Sequence, residues 1–158
     1  MNLKNYTSSV PIDQSILYIE RLLSQAGATH IGKEYDPASP GEVVGMTFQL
    51  VVDGVPLLFQ LPSEVRPIEE YMLAQLRNPK AAAEKRVQEQ AGRTAWKMLH
   101  EWVHIQISNI EVKRMKPLQV FLPFLYDPKK GKTYFEILEQ NRFKALPTAS
   151  NAERSEPE

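Results

Sequence analysis

VVGMTFQLVVDGVPLLFQL, residues 43–61, is the stretch that decides the fold. Apolar side chains alternate with small or polar ones on both sides of Asp53-Gly54, a dipeptide typical of a two-residue hairpin turn. Because Pro56 has no N–H to donate, the second strand is expected at a sheet edge. The side chains expected on one face are Val44, Met46, Phe48 and Leu50, with Val55, Leu57, Phe59 and Leu61 aligned to them on the returning strand. The stretch therefore predicts an antiparallel hairpin that covers a core with one face.

Helical periodicity flanks this hairpin on both sides. Asp13 is expected to cap a first helix, and Gly27 to stop it. Gly92 weakens the long helix at its middle, and Pro117 is expected to end the helical region. In chain order, the predicted elements are a helix over 13–26, a strand over 29–35, the hairpin, a short helix over 67–77, a long helix over 80–112, an extended segment over 119–126 and a short helix over 133–141.

These elements define an α+β fold class. We expect a small antiparallel sheet of about three strands, including the Asp-Gly hairpin, packed against several helices of which one is long. A chain of 158 residues is large enough for one domain with its own hydrophobic core, predicted here over 1–147. The polar residues 148–158 are predicted to form a disordered tail.

The composition excludes several classes of protein. There is no cysteine, so a disulfide framework and a thiolate nucleophile are both absent. The N-terminus lacks the apolar core of a signal peptide, and no apolar run approaches the roughly 18 residues that span a bilayer. We therefore predict a cytoplasmic protein with no membrane partner and no cofactor. The sequence leaves a homo-oligomer open.

One short pattern points to metal chemistry. His100-Glu101-Trp102-Val103-His104 matches H-E-x-x-H, in which two histidines one turn apart bind zinc and the glutamate activates water. A third ligand is required, and Glu136 or Glu139 lies downstream at a usable spacing. The alternative function is thus a zinc-dependent metallopeptidase that uses this helix.

A helical projection of the same segment favours a structural role. His100 and His104 fall in the polar arc, beside Arg93 and Lys97, whose charges would oppose a dication on that face. Glycine and a third histidine, which the extended metzincin pattern requires, are absent. The projection predicts two surface histidines facing solvent, and no catalytic residue is assigned.

The net charge of zero conceals a basic middle of the chain. Residues 77–132 carry twelve Lys and Arg against five Asp and Glu, whereas residues 1–76 carry four against nine. A basic stretch of this kind favours an anionic partner, although no established nucleic-acid motif accompanies it. The candidate nucleic-acid-binding residues are Lys85, Arg86, Arg93, Lys97, Lys113, Arg114 and Lys116.

Five stretches resemble small uncharacterised proteins encoded by bacterial phages and prophages. They are MNLKNYTSSVPIDQSI, GATHIGKEYD, RTAWKMLHEWVHIQISNIE, VFLPFLYD and GKTYFEIL, and together they span nearly the whole chain apart from the tail. The resemblance implies a location in the cytoplasm of a bacterial host, and it brings no activity and no functional residues. It also implies that HEWVH is a local variation, because the related helices lack an H-E-x-x-H.

These observations lead to one functional expectation. The chain is predicted to be a non-enzymatic phage or prophage accessory protein that acts by binding. Its partner is expected to be a host or phage protein, or nucleic acid along the basic helix.

Overall fold

The hairpin forms as the sequence predicts. In this computed structural model, which describes residues 2–150, strand β2 (Val43–Val52) pairs antiparallel with β3 (Val55–Pro62). Asp53 and Gly54 both have positive φ, 49° and 80°, the backbone that a tight two-residue turn requires. A third strand, β1 (His30–Tyr35), pairs antiparallel with β2 and gives the sheet order β1-β2-β3. Pro56 therefore lies in an edge strand, as expected.

One face of this sheet forms one side of the hydrophobic core. Met46, Phe48, Phe59 and Leu61 are completely buried on it, because alternate residues of a strand point to the same side. Helices α1 (Ile12–Gln25) and α3 (Ala81–Glu111) supply the other side of the core. The α+β architecture with one long helix is thereby confirmed.

The two core helices pack closely against each other. Gly92 does not interrupt α3, which is helical throughout. A Cβ atom at this position would lie only 2.9 Å from Cδ1 of Ile12, so the missing side chain lets the start of α1 approach α3. The predicted cap at Asp13 is wrong: Pro11 occupies the N-cap position, and Asp13 lies within the first turn, where its charge still favours the helix.

Helix α2 (Val65–Ala74) packs against α3 and begins two residues earlier than predicted. Its N-cap, Glu64, adopts a left-handed backbone with φ of 51°. This conformation turns the chain sharply out of the sheet edge and into the helix. The helix consequently starts before Pro67, the residue from which the sequence predicted it.

The prediction for 117–126 is wrong. Pro117 begins a helix, α4 (Pro117–Phe121), which continues into a 3-10 turn over Leu122–Phe124. Proline suits the first position of a helix because the N–H it lacks has no partner there anyway. The Gln119 side chain accepts a hydrogen bond from the Lys116 N–H at 2.7 Å and closes the start of the helix. The apolar run was therefore misread as extended.

The described chain closes with a small ribbon and a helix. Strands β4 (Tyr126–Asp127) and β5 (Lys132–Thr133) pair with each other, and α5 (Tyr134–Gln140) follows as predicted. Most of the predicted tail, 151–158, lies outside the described residues. Among residues 2–150, no helix is both long and apolar enough to cross a membrane.

Candidate functional site

The two histidines of α3 occupy different environments. His104 is exposed, as the helical projection predicted, but His100 is buried with only 9% of its surface accessible. The prediction that His100 faces solvent is therefore wrong. Its cause is tertiary: α1 packs along this side of α3, and Tyr18 covers the imidazole ring.

Three rings form a stack across the contact between α1 and α3. The ring centroids of Tyr18 and His100 are 5.0 Å apart with an interplanar angle of 8°, and those of His100 and His104 are 6.3 Å apart with an angle of 4°. His100 occupies the middle of the stack, whereas His104 ends it at an exposed position. The Arg21 guanidinium lies 6.0 Å from the centre of the Tyr18 ring, within range of a cation–π interaction.

Burial determines the charge state of His100. Its Nδ1 atom is buried and has no hydrogen-bond partner among the described residues. Burial lowers the pKa of His100 because it disfavours the charged ring, and the neighbouring charges of Lys97 and His104 lower it further. These effects favour the neutral form of the ring.

Glu101 is held by the N-terminal segment of the chain. Its carboxylate accepts a hydrogen bond from the Asn5 side-chain amide at 3.0 Å and lies 3.2 Å from the Lys4 ammonium. Lys97 approaches the same carboxylate at 3.7 Å. The hydrogen bond from Asn5, together with the charges of Lys4 and Lys97, lowers the pKa of Glu101. This carboxylate therefore holds the N-terminal segment against α3. In a zinc peptidase the same carboxylate would have to be free to act as a base on the metal-bound water.

The expected third zinc ligand is engaged elsewhere. The Glu136 carboxylate accepts hydrogen bonds from the N–H and the hydroxyl of Thr133 and thereby caps α5. Glu139 lies with Lys132 in the same region of the fold. In residues 2–150, no group of three or more His, Asp or Glu side chains is arranged to hold a metal ion. The residues present do not fit a catalytic zinc.

The N-terminal segment, residues 4–9, lies along α3. The Thr94 hydroxyl donates a hydrogen bond to the Asn5 carbonyl at 3.0 Å, and the Gln90 amide donates one to the Ser8 carbonyl at 3.0 Å. Together with the Asn5–Glu101 contact, these bonds fix the segment to one side of α3. Helix α1 contacts the other side, at Gly92 and His100.

A basic strip of α3 lies between the N-terminal segment and α1. Arg93, Lys97 and His104 lie on the strip of α3 between the segment and α1, since residues four and seven positions apart share a helix face. Lys4 belongs to the N-terminal segment on one side of this strip, and Tyr18 and Arg21 belong to α1 on the other side. We call these six residues the basic groove. Lys4 and Lys97 meet at the Glu101 carboxylate, and Arg21 lies at the Tyr18 end of the ring stack.

The other predicted cations are placed along and beyond α3. Arg86 lies two turns before Arg93 on the same face, whereas its neighbour Lys85 points about 100° away. The remaining cluster lies beyond the end of α3 at Glu111, which is itself about 21 Å from Lys97 along the helix axis. This cluster comprises Lys113, Arg114 and Lys116. All of these cations are exposed. The structure thus gathers only Arg93 and Lys97 of the seven into the groove.

A second concavity has the opposite charge. It measures about 560 Å³ and lies where α1, α2 and α3 meet the loop between β1 and β2. Four carboxylate residues line it, namely Asp13, Glu42, Glu69 and Glu89. We call it the acidic cleft, because its lining is negatively charged.

Sequence reasoning missed the α1 side of the basic groove. No role was predicted for Tyr18 or Arg21, and Lys4 belonged to a segment without a predicted element. The available signal was the spacing of Tyr18 and Arg21 on one helix face. Only the packing of α1 on α3 shows that this face meets the histidines.

The comparisons with known proteins identify no match for this chain. The chain matches no protein-family model, no curated protein and no solved structure.

Proposed function

We propose that this protein acts by binding nucleic acid in the basic groove. The observation that carries the proposal is the placement of Arg93 and Lys97 on one strip of α3, with Lys4 and Arg21 on the two segments that flank it. Cations that contact phosphates supply most of the affinity of nucleic-acid-binding proteins, whatever the sequence bound.

The local electrostatics support an anionic partner. Of the four groove cations, only Lys4 and Lys97 form ion pairs among the described residues, and both share the single carboxylate of Glu101. Arg93 is hydrogen-bonded to the neutral Gln90 side chain at 2.7 Å, and Arg21 lies beside the Tyr18 ring. Arg93 and Arg21 therefore have no ion-pair partner within the groove itself, while Asp13 and Glu89 line the cavity beside Arg93 and Glu20 lines the cavity beside Arg21.

The proposal has a biological setting. It includes an origin in a phage or prophage and a role in the cytoplasm of a bacterial host, and the resemblance of the five sequence stretches supports both. A binding role rather than a catalytic one is supported by Glu101 and Glu136, whose carboxylates are engaged in holding secondary structure and the N-terminal segment.

The salt dependence of binding tests this proposal. Fluorescence anisotropy with a labelled oligonucleotide should give affinities that fall steeply as salt increases, because bound phosphates release counterions. Arg93→Gln should reduce the slope of log affinity against log salt by about 1.

A matched control separates the groove from general surface charge. Arg66 is also exposed, but it pairs with Glu70 on α2 and lies outside the groove. Arg66→Gln should leave both affinity and slope unchanged. Absence of binding at low salt, or equal losses from the two variants, would contradict the proposal.

A further inference from the structure

The stack of three rings has one free end. Tyr18 and His104 contact His100 from its two sides, and His104 is exposed. Among residues 2–150, no aromatic ring is recorded against the outer side of His104. Its imidazole therefore presents a flat surface that is already held in orientation by two rings behind it.

The groove cations lie to one side of this surface. Lys97 lies two turns from His104 on the same face of α3, and Arg21 lies beside the ring at the opposite end of the stack. A strand with one base stacked on His104 and its backbone running along this face would bring a neighbouring phosphate towards Lys97, which gives an unpaired strand both a stacking partner and a positive charge.

We propose that His104 extends the Tyr18–His100 stack onto an unpaired base, so that the groove selects single-stranded nucleic acid. This inference rests on the proposed function, because stacking is added to phosphate binding in the same groove. In a duplex both faces of an internal base are already stacked, and the base would first have to be flipped out at an energetic cost.

Two oligonucleotides separate stacking from charge. One is a labelled single-stranded oligothymidylate, and the other is an abasic strand of the same length, which keeps the phosphates but has no bases. A protein that stacks on bases should bind the oligothymidylate at least about fivefold more tightly. His104→Ala should abolish this preference, whereas His104→Phe should retain it because phenylalanine preserves the flat surface.

A control variant and a duplex complete the experiment. His30 is an exposed histidine at the start of β1, outside the groove, and His30→Ala should behave as the unaltered protein does. A duplex of equal length should bind more weakly than the single strand.

Each outcome has a distinct meaning. Equal binding of oligothymidylate, abasic strand and duplex, still sensitive to Arg93→Gln, would overturn the stacking inference and leave the proposed function intact. No binding to any of the three at low salt would overturn both, and would point to a protein partner for this surface.

Discussion

At the residue scale, His100 connects the packing of the core with the candidate site. It separates Tyr18 from His104, and its buried Nδ1 has no hydrogen-bond partner among the described residues. An unsatisfied buried polar atom costs on the order of 1–3 kcal/mol. His100 therefore contributes its shape to the stack, while its unsatisfied nitrogen destabilises the fold.

This environment makes stability depend on pH in a defined direction. The pKa of His100 is lowered in the folded protein, so the unfolded chain binds a proton more readily. Above the unfolded pKa of about 6.5, His100 is neutral in both states and its titration does not lower the free energy of unfolding. As the pH falls from there toward the folded pKa, the unfolded chain gains a proton first and the fold loses stability. Glu101 acts at lower pH, because its contribution is lost only as pH falls through its own lowered pKa.

We predict that His100→Phe flattens this pH dependence. Phenylalanine keeps a ring in the stack and removes both the titration and the unsatisfied nitrogen. In urea unfolding at about pH 7.5 and about pH 5.5, the unaltered protein should lose more stability than the variant. His30→Ala is the matched control and should follow the unaltered protein. An equal loss in all three proteins would contradict the assigned environment of His100.

At the element scale, the contact between α1 and α3 sets the width of the groove. Gly92 permits this contact, since a Cβ there would meet Ile12 Cδ1 at 2.9 Å. Alanine is better than glycine inside a helix by about 1 kcal/mol, so propensity and packing oppose each other at this position.

A double-mutant cycle separates the gain in helix propensity from the cost of the contact with Ile12. Gly92→Ala alone should change the free energy of unfolding little, because the helix gains propensity while Ile12 is displaced. In an Ile12→Val background the clashing methyl group is absent, and the same change should stabilise by up to about 1 kcal/mol. Thermal or urea unfolding of the four proteins measures the coupling. Strict additivity would show that the two helices do not meet as described.

Elements differ in how far the sequence could predict them. The Asp53-Gly54 hairpin and α3 were predictable because their signals are local: turn chemistry and a long apolar period. The 117–126 segment was predicted wrongly although its start carries local helix signals, namely Pro117 at the first position and Gln119 closing the first turn. His100 was misplaced for a different reason, since a projection of α3 alone contains no information about α1.

At the scale of the whole molecule, Phe121 joins the α4 region to the sheet. Its ring meets Phe48 at 5.1 Å, Phe59 at 5.8 Å and Trp102 at 6.0 Å between centroids. It is completely buried, so one side chain links α4, β2, β3 and α3 in a single core. The fold of the first 112 residues and the segment that follows should therefore unfold together.

We predict that Phe121→Ala lowers the stability of the entire described fold. Removing a buried phenylalanine costs about 3–5 kcal/mol, and the denaturant slope should stay unchanged if the core unfolds as one unit. Phe135→Ala is the control, because Phe135 is 49% exposed and should be nearly neutral. Two separate unfolding transitions would contradict a shared core.

The binding account likewise depends on the whole molecule, since the N-terminal segment, α1 and α3 each supply part of the basic groove. The acidic cleft between α1, α2 and α3 has the opposite charge and serves as the negative control surface in a binding experiment.

Backbone amide chemical shifts during titration with oligothymidylate test this central claim most directly. The account predicts the largest changes at Lys4, Tyr18, Arg93, Lys97 and His104, reduced by added salt, and none around the acidic cleft at Glu42 and Glu69. Unchanged spectra at low salt, or changes centred on the cleft or on α5, would contradict it.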